Sequence, residues 1–170
     1  MTPTPGPSRS RSGRTLSLVI PLHDEAAGLD VLFRRIDETV ATLGLDLEII
    51  CVDDGSQDGT FELLVERART DPRLKLVALT RNFGKEAALT AGIEAASGHM
   101  VVPLDADLQD PPELIAEFVT LWEQGYDVVY GVRADRTSDT PAKRFSANAF
   151  IACSTDYRIS GSPKAREIFD

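Results

Sequence analysis

Five short apolar runs constrain this chain more than any other feature. Each is closed by a polar or glycine-containing turn, and stretches of helical period separate them. The runs are Leu16–Ile20, stopped at Pro21, then Leu47–Val52, Leu74–Leu79, His99–Leu104 and Asp127–Val132. They are largely continuous, with single polar exceptions such as Glu48, instead of alternating, so both faces of each strand are expected to be covered. Between the first two runs, Leu29, Leu32, Phe33, Ile36, Val40 and Leu43 recur at helical spacing. A turn, Asp53 to Thr60, leads into a helix reaching about Ala68, and Lys85 to Ala96 is alanine-rich and ended by Gly98. Pro111 and Pro112 open a last helix reaching Gln124. Strands alternating with helices predict an α/β fold, a mostly parallel sheet flanked by helices.

In such sheets ligands bind beyond the carboxyl ends of the strands. Chemistry-bearing residues follow four of these runs: His23-Asp24-Glu25, Asp53-Asp54-Gly55-Ser56, Asp105-Ala106-Asp107 and Gly131-Val132-Arg133. Asp105, Asp107 and Gln109 are spaced by two, so extended chain presents their oxygens on one side. Such oxygens suit a hard divalent cation, Mg2+ or Mn2+, held jointly with substrate phosphates. Taken alone, the same residues are compatible with a solvated turn, and Asp110 before Pro111 is a good helix cap. If the sheet reading is right, the carboxylates of Glu25, Asp54, Asp105 and Asp107 meet at one edge.

The 170 residues suffice for one domain with a core. Charge is uneven along them. Residues 1–15 carry three Arg and no acid, residues 16–132 a net −14, and residues 133–170 a net +2. An acidic body argues against general nucleic-acid binding, which needs a basic footprint. It permits one nucleotide held through a metal ion, because the ion supplies the positive charge. No apolar run is long enough to span a membrane, and the Pro/Ser/Arg-rich residues 1–15 lack a signal-peptide core and are expected to be a disordered tail. Cys51 and Cys153 do not make a disulfide framework. Cys51 lies in an apolar run and is expected to be a buried thiol, and a reducing, cytoplasmic setting fits. No G-x-G-x-x-G follows the first run and no phosphate-binding P-loop pattern occurs.

Four segments taken together carry a resemblance: Val19-Ile20-Pro21-Leu22-His23-Asp24-Glu25, Val52 to Thr60, Arg81-Asn82-Phe83-Gly84-Lys85-Glu86-Ala87, and Asp105 to Pro112. In order and spacing they resemble the family 2 glycosyltransferases of GT-A fold, in particular the polyprenyl-phosphate, dolichol-phosphate mannosyltransferase-like branch, over roughly residues 16–150. The resemblance implies that a hexose moves from a nucleotide-diphospho-sugar to a polyprenyl phosphate. It implies that Pro21, His23, Glu25, Val52, Asp54, Lys85, Asp105 and Ala106 hold the donor. It further implies that Asp107 and Gln109 ligate the metal, and that Asp105, Asp107 and Arg133 serve the reaction. Where His23 and Asp24 stand, the family usually has Tyr and Asn. A nucleotidyltransferase of related sheet topology is disfavoured, since His23-Asp24-Glu25-Ala26-Ala27 is not a Gly-rich basic loop.

The implied mechanism is a single inverting displacement at the anomeric carbon. A metal-neutralised nucleoside diphosphate leaves, and the acceptor phosphate needs no strong base because it is already anionic. Residues 141–150 place Lys143 and Arg144 beside Phe145 and Phe150. That composition suits a helix on a membrane surface or one packed on the domain. Residues 151–170 show no periodicity and are expected to be a divergent tail that lacks the family's acceptor loop. Two functions remain: an active transferase at the cytoplasmic face of a membrane, or an inactive truncated remnant that only binds nucleotide-sugar.

Overall fold

A computed structural model describes residues 6–107, 113–132, 150–153 and 165–169. In chain order the elements are β1 (Thr15–Leu22), α1 (Leu29–Val40), β2 (Asp46–Asp53), α2 (Thr60–Thr70), β3 (Leu74–Ala78), α3 (Lys85–Ala95), β4 (Met100–Pro103), α4 (Leu114–Glu123), β5 (Val128–Val132), β6 (Phe150–Cys153) and β7 (Ala165–Phe169). The strands form one sheet in the order β3-β2-β1-β4-β6-β5-β7. β1 pairs in parallel with β2 and β4, β2 with β3, and β5 with β7. β6 runs antiparallel between β4 and β5. Residues 150–153 and 165–169 are thus strands, although their sequence shows no pattern of its own.

The apolar runs are continuous because the sheet has two covered faces. Leu16, Leu18, Ile20 and Leu22 of β1 pack into one core with Ile49 and Cys51 of β2, the apolar stripe of α1, and Ile115, Phe118 and Trp122 of α4. Val19, Ile50 and Val52 face the other way, into a smaller cluster with Ala88 of α3. α1 contributes Leu29, Leu32, Phe33, Ile36 and Val40, the helical repeat seen in the sequence. α3 carries small residues because it lies close on the sheet. A Cβ at Gly92 would come 2.3 Å from Val19 Cγ1 and 2.9 Å from Val52 Cγ2.

Two expectations are corrected. Pro21 does not stop β1, which continues to Leu22 along β2. Pairing with β4 ends at Val19, so Pro21 lies where β1 has become an edge on that side and its missing N–H is tolerated. Residues 6–15 are not a free tail. Gly6 N donates to Gly125 O at 2.9 Å and Arg9 N to Glu123 O at 2.8 Å, Arg9 pairs with Asp127, and Arg11 pairs with Glu123 at 2.5 Å. Polar anchoring of this kind leaves no hydrophobic signal in the sequence.

Candidate functional site

The carboxyl ends of β1, β2 and β4 and the loop before α3 enclose a cavity of about 270 Å³. Pro21, Leu22, His23 and Glu25 line it from the end of β1, Asp54 from β2, and Asp105, Ala106 and Asp107 from β4. Asn82, Gly84, Lys85 and Ala88 close it from the loop and first turn of α3. The four carboxylates of Glu25, Asp54, Asp105 and Asp107 therefore share one cavity at the sheet edge. Val52 does not line it. Its side chain is fully buried and packs with Ala88 beneath the cavity. Gln109 and Arg133 lie outside the described residues.

Each wall is held by specific bonds. Asp54 is 3% exposed, and its two oxygens accept the backbone N–H groups of Phe83 and Gly84, each at 2.8 Å. Such charge-assisted bonds fix the loop that carries Lys85 to the end of β2. His23 binds the Asp54 carbonyl through Nδ1 at 2.9 Å and meets Asn82 Nδ2 through Nε2 at 2.9 Å. Nε2 also lies 3.5 Å from Asp24 Oδ2, so the ring is bracketed on both sides by polar groups.

The β2–α2 turn buttresses the β1–α1 turn. Asp24 N donates to Ser56 Oγ, Glu25 N to Thr60 Oγ1, and Ala26 N to Asp58 Oδ2, while Asp24 Oδ1 accepts from Gln57 N. Asp24 sits at φ 55°, a left-handed conformation that Asp tolerates better than most residues. Hydrogen bonds from Thr60, then from Ala26, hold the Asp58 carboxyl below the usual range.

Sequence reasoning did not single out Asn82 or Gly84, although both stand in the quoted Arg81–Ala87 segment. It also missed a second chamber of about 660 Å³ on the far side of the His23–Asn82 wall. Asp53, 4% exposed, lines it, and its Oδ1 has no hydrogen-bond partner among the described residues. No linear signal marks this chamber, because it arises from the packing of two loops.

The donor set fits a hard divalent cation. Asp105 and Asp107 offer carboxylate oxygens in the same cavity, and both oxygens of Asp105 already hold a cation, the Lys85 ammonium at 2.7 Å from each. Among the described residues no three His, Cys, Asp or Glu side chains make a complete metal cage. An ion there would need further ligands, such as a substrate's phosphate oxygens.

The profile of glycosyl transferase family 2 matches residues 17–168. The chain belongs to glycosyl transferase family 2. The match runs past Phe150 through β6 and through β7 as far as Ile168. An uncharacterized glycosyltransferase of Synechocystis sp. is 50% identical over 135 residues, which are 79% of this chain and 42% of the relative. A bactoprenol glucosyl transferase of Shigella phage SfV is 39% identical over 79% of this chain and 44% of its own length. The chain thus spans less than half the length of these curated relatives. Among solved structures, a mannosyltransferase from Pyrobaculum calidifontis in complex with GDP-Man and Mn2+ is 29% identical. It superimposes with a TM-score of 0.61 over 79% of this chain and 40% of that one. The sheet and its flanking helices are those of the GT-A fold.

Proposed function

We propose that this chain binds a nucleotide-diphospho-sugar in the 270 Å³ cavity and transfers its hexose to a polyprenyl phosphate. The observation that carries the proposal is the convergence of Glu25, Asp54, Asp105 and Asp107 with Lys85 at the carboxyl edge of the sheet. The relatives' names support the acceptor class, since one is a bactoprenol glucosyl transferase. In this reading the nucleoside rests against the His23–Asn82 wall, with Glu25 and Asp54 as acceptors for its N–H and O–H groups. Asp105 and Asp107, with Gln109, would hold Mg2+ or Mn2+, which supplies charge neutralisation for the departing diphosphate. Lys85 adds a second positive charge beside Asp105, and Arg133 serves the same diphosphate or the acceptor.

The reaction follows from these charges. An oxygen of the acceptor phosphate forms a bond to the anomeric carbon. The bond from that carbon to the donor's β-phosphate oxygen breaks, and the electron pair leaves with the nucleoside diphosphate. No proton has to be removed from the nucleophile. Consistent with that, His23 is tied through both ring nitrogens, and His99 lies at the opposite end of the sheet, where its Nδ1 accepts from Thr15 N at 3.2 Å. Residues 141–149 lie outside the described residues, and in this reading they make a peripheral membrane contact near the lipid acceptor, while Phe150 belongs to β6. No helix among the described residues is long and apolar enough to cross a membrane.

The test is a thermal-shift panel of UDP-, GDP- and dTDP-sugars with and without Mn2+, followed by transfer of radiolabelled sugar into polyprenyl phosphate. A stabilised transition with one donor plus Mn2+, and label in the lipid fraction, is the expected result. Binding without transfer would make the chain a donor-binding module. No Mn2+-dependent binding of any donor would end the reading.

A further inference from the structure

Lys85 stands where helix energetics disfavour a cation. It is the first residue of α3, and the positive end of the helix dipole disfavours an ammonium group there. Its side chain is 59% exposed, so it adds little to the core. An exposed ion pair contributes little to stability either. Yet Nζ lies 2.7 Å from both oxygens of Asp105, so the ammonium bridges that half-buried carboxylate. Among the described residues that line the cavity, Lys85 is the one Lys or Arg, and it shares the cavity with four carboxylates. Arg81 lies in the neighbouring chamber, stacked over Phe83 at 4.3 Å.

We propose that Lys85 is the resident counter-ion of the donor-free site, held on Asp105 until a nucleoside diphosphate arrives and then passed to that diphosphate. The inference rests on the nucleotide-sugar reading and adds an order of events to it. A divalent ion and an ammonium group cannot share the same two oxygens without strong repulsion. In the donor-free chain, therefore, Lys85 suppresses divalent-ion binding. Entry of the diphosphate gives the ammonium a more highly charged partner and frees Asp105, so that ion and diphosphate bind together. The side chain is long, flexible and open to solvent, as this change of partner requires.

The experiment compares the full chain with its Lys85→Met and Lys85→Arg variants. Free Mn2+ is followed by electron paramagnetic resonance in the absence of nucleotide. Binding of UDP and GDP is followed by calorimetry in EDTA. Lys85→Met should bind Mn2+ about fivefold more tightly than wild type, the scale expected on removing an exposed ion pair. In EDTA it should bind nucleoside diphosphate about fivefold more weakly. Lys85→Arg, which keeps the charge, should show neither the tighter Mn2+ binding nor the fivefold loss of nucleotide affinity seen in Lys85→Met. Equal Mn2+ affinity in wild type and Lys85→Met overturns the proposal, as does equal nucleotide affinity in EDTA. Thermal melts report whether Lys85→Met is folded, and Lys85→Gln is the second neutral variant. If wild type binds no nucleoside diphosphate even with Mn2+, the donor reading fails and the transfer to a diphosphate fails with it. The nucleotide-free Mn2+ titration then still decides whether Lys85 blocks Asp105.

Discussion

Glu48 and His23 show how much a single polar residue can organise. Glu48 interrupts an otherwise apolar run and is 7% exposed. Burial raises its carboxyl pKa, but Lys75, the Ser17 and Ser97 hydroxyls and the Ser97 N–H outweigh that and bring it down to about 2. A depressed carboxyl stabilises the fold above its unfolded pKa and loses that contribution as pH falls through the folded value. Urea unfolding should therefore show Glu48→Gln to be destabilised by up to about 3 kcal/mol at pH 7. The gap should narrow below pH 4.5 and close near pH 2. A gap that stays constant between pH 7 and pH 3 would contradict this. His23 binds both Asp54 and Asn82, so His23→Phe, which keeps a ring and loses both bonds, should cost about 1–2 kcal/mol in the same assay. If the donor reading holds, it should also weaken nucleotide binding. An unchanged urea midpoint would show that the two bonds contribute nothing.

At the scale of elements, α3 tests whether packing or propensity governs a helix. Gly92 allows α3 to approach Val19 and Val52. Gly92→Val should lose more than about 2 kcal/mol by overpacking, measured by denaturant unfolding, despite valine's better helix propensity. A neutral effect would mean that α3 sits less tightly on the sheet. The helices and β1 to β5 were legible in the sequence because their signals are local: apolar runs for two-sided strands, and a repeat such as Leu29, Leu32, Phe33 and Ile36 for α1. β6 and β7 were not legible. β6 is antiparallel and borders β4 and β5, and β7 pairs in parallel with β5, so both depend on partners distant in sequence. Within the site, the acids after β1, β2 and β4 could be read from the strand-end rule. The roles of Asn82 and of the Asp54 bonds to Phe83 and Gly84 arise only when two loops meet.

For the molecule as a whole, residues 6–15 act as a tether across the end of α4. Arg9 pairs with Asp127 and lies 5.5 Å from the Trp122 ring centroid, and Arg11 pairs with Glu123. Removing residues 1–12 should lower stability by about 2 kcal/mol, or roughly 5 °C in Tm, because each pair is partly exposed. The sole Trp in the chain, Trp122, is 3% exposed, so its fluorescence reports the loss directly. A truncated chain that melts with the full-length one would show the tether to be incidental.

Gly55 carries a consequence for exchanging parts between relatives. At φ 70° it brings the end of β2 so close to the next loop that a Cβ would lie 2.6 Å from the Arg81 carbonyl carbon and 2.7 Å from Asn82 N. Backbone rests on backbone there, and neither segment can yield by turning a side chain. Residues 53–60 and 81–85 are in effect one transplantable unit. A chimera that imports either loop alone from a relative inherits a mismatched seam, whereas importing both keeps this backbone contact intact.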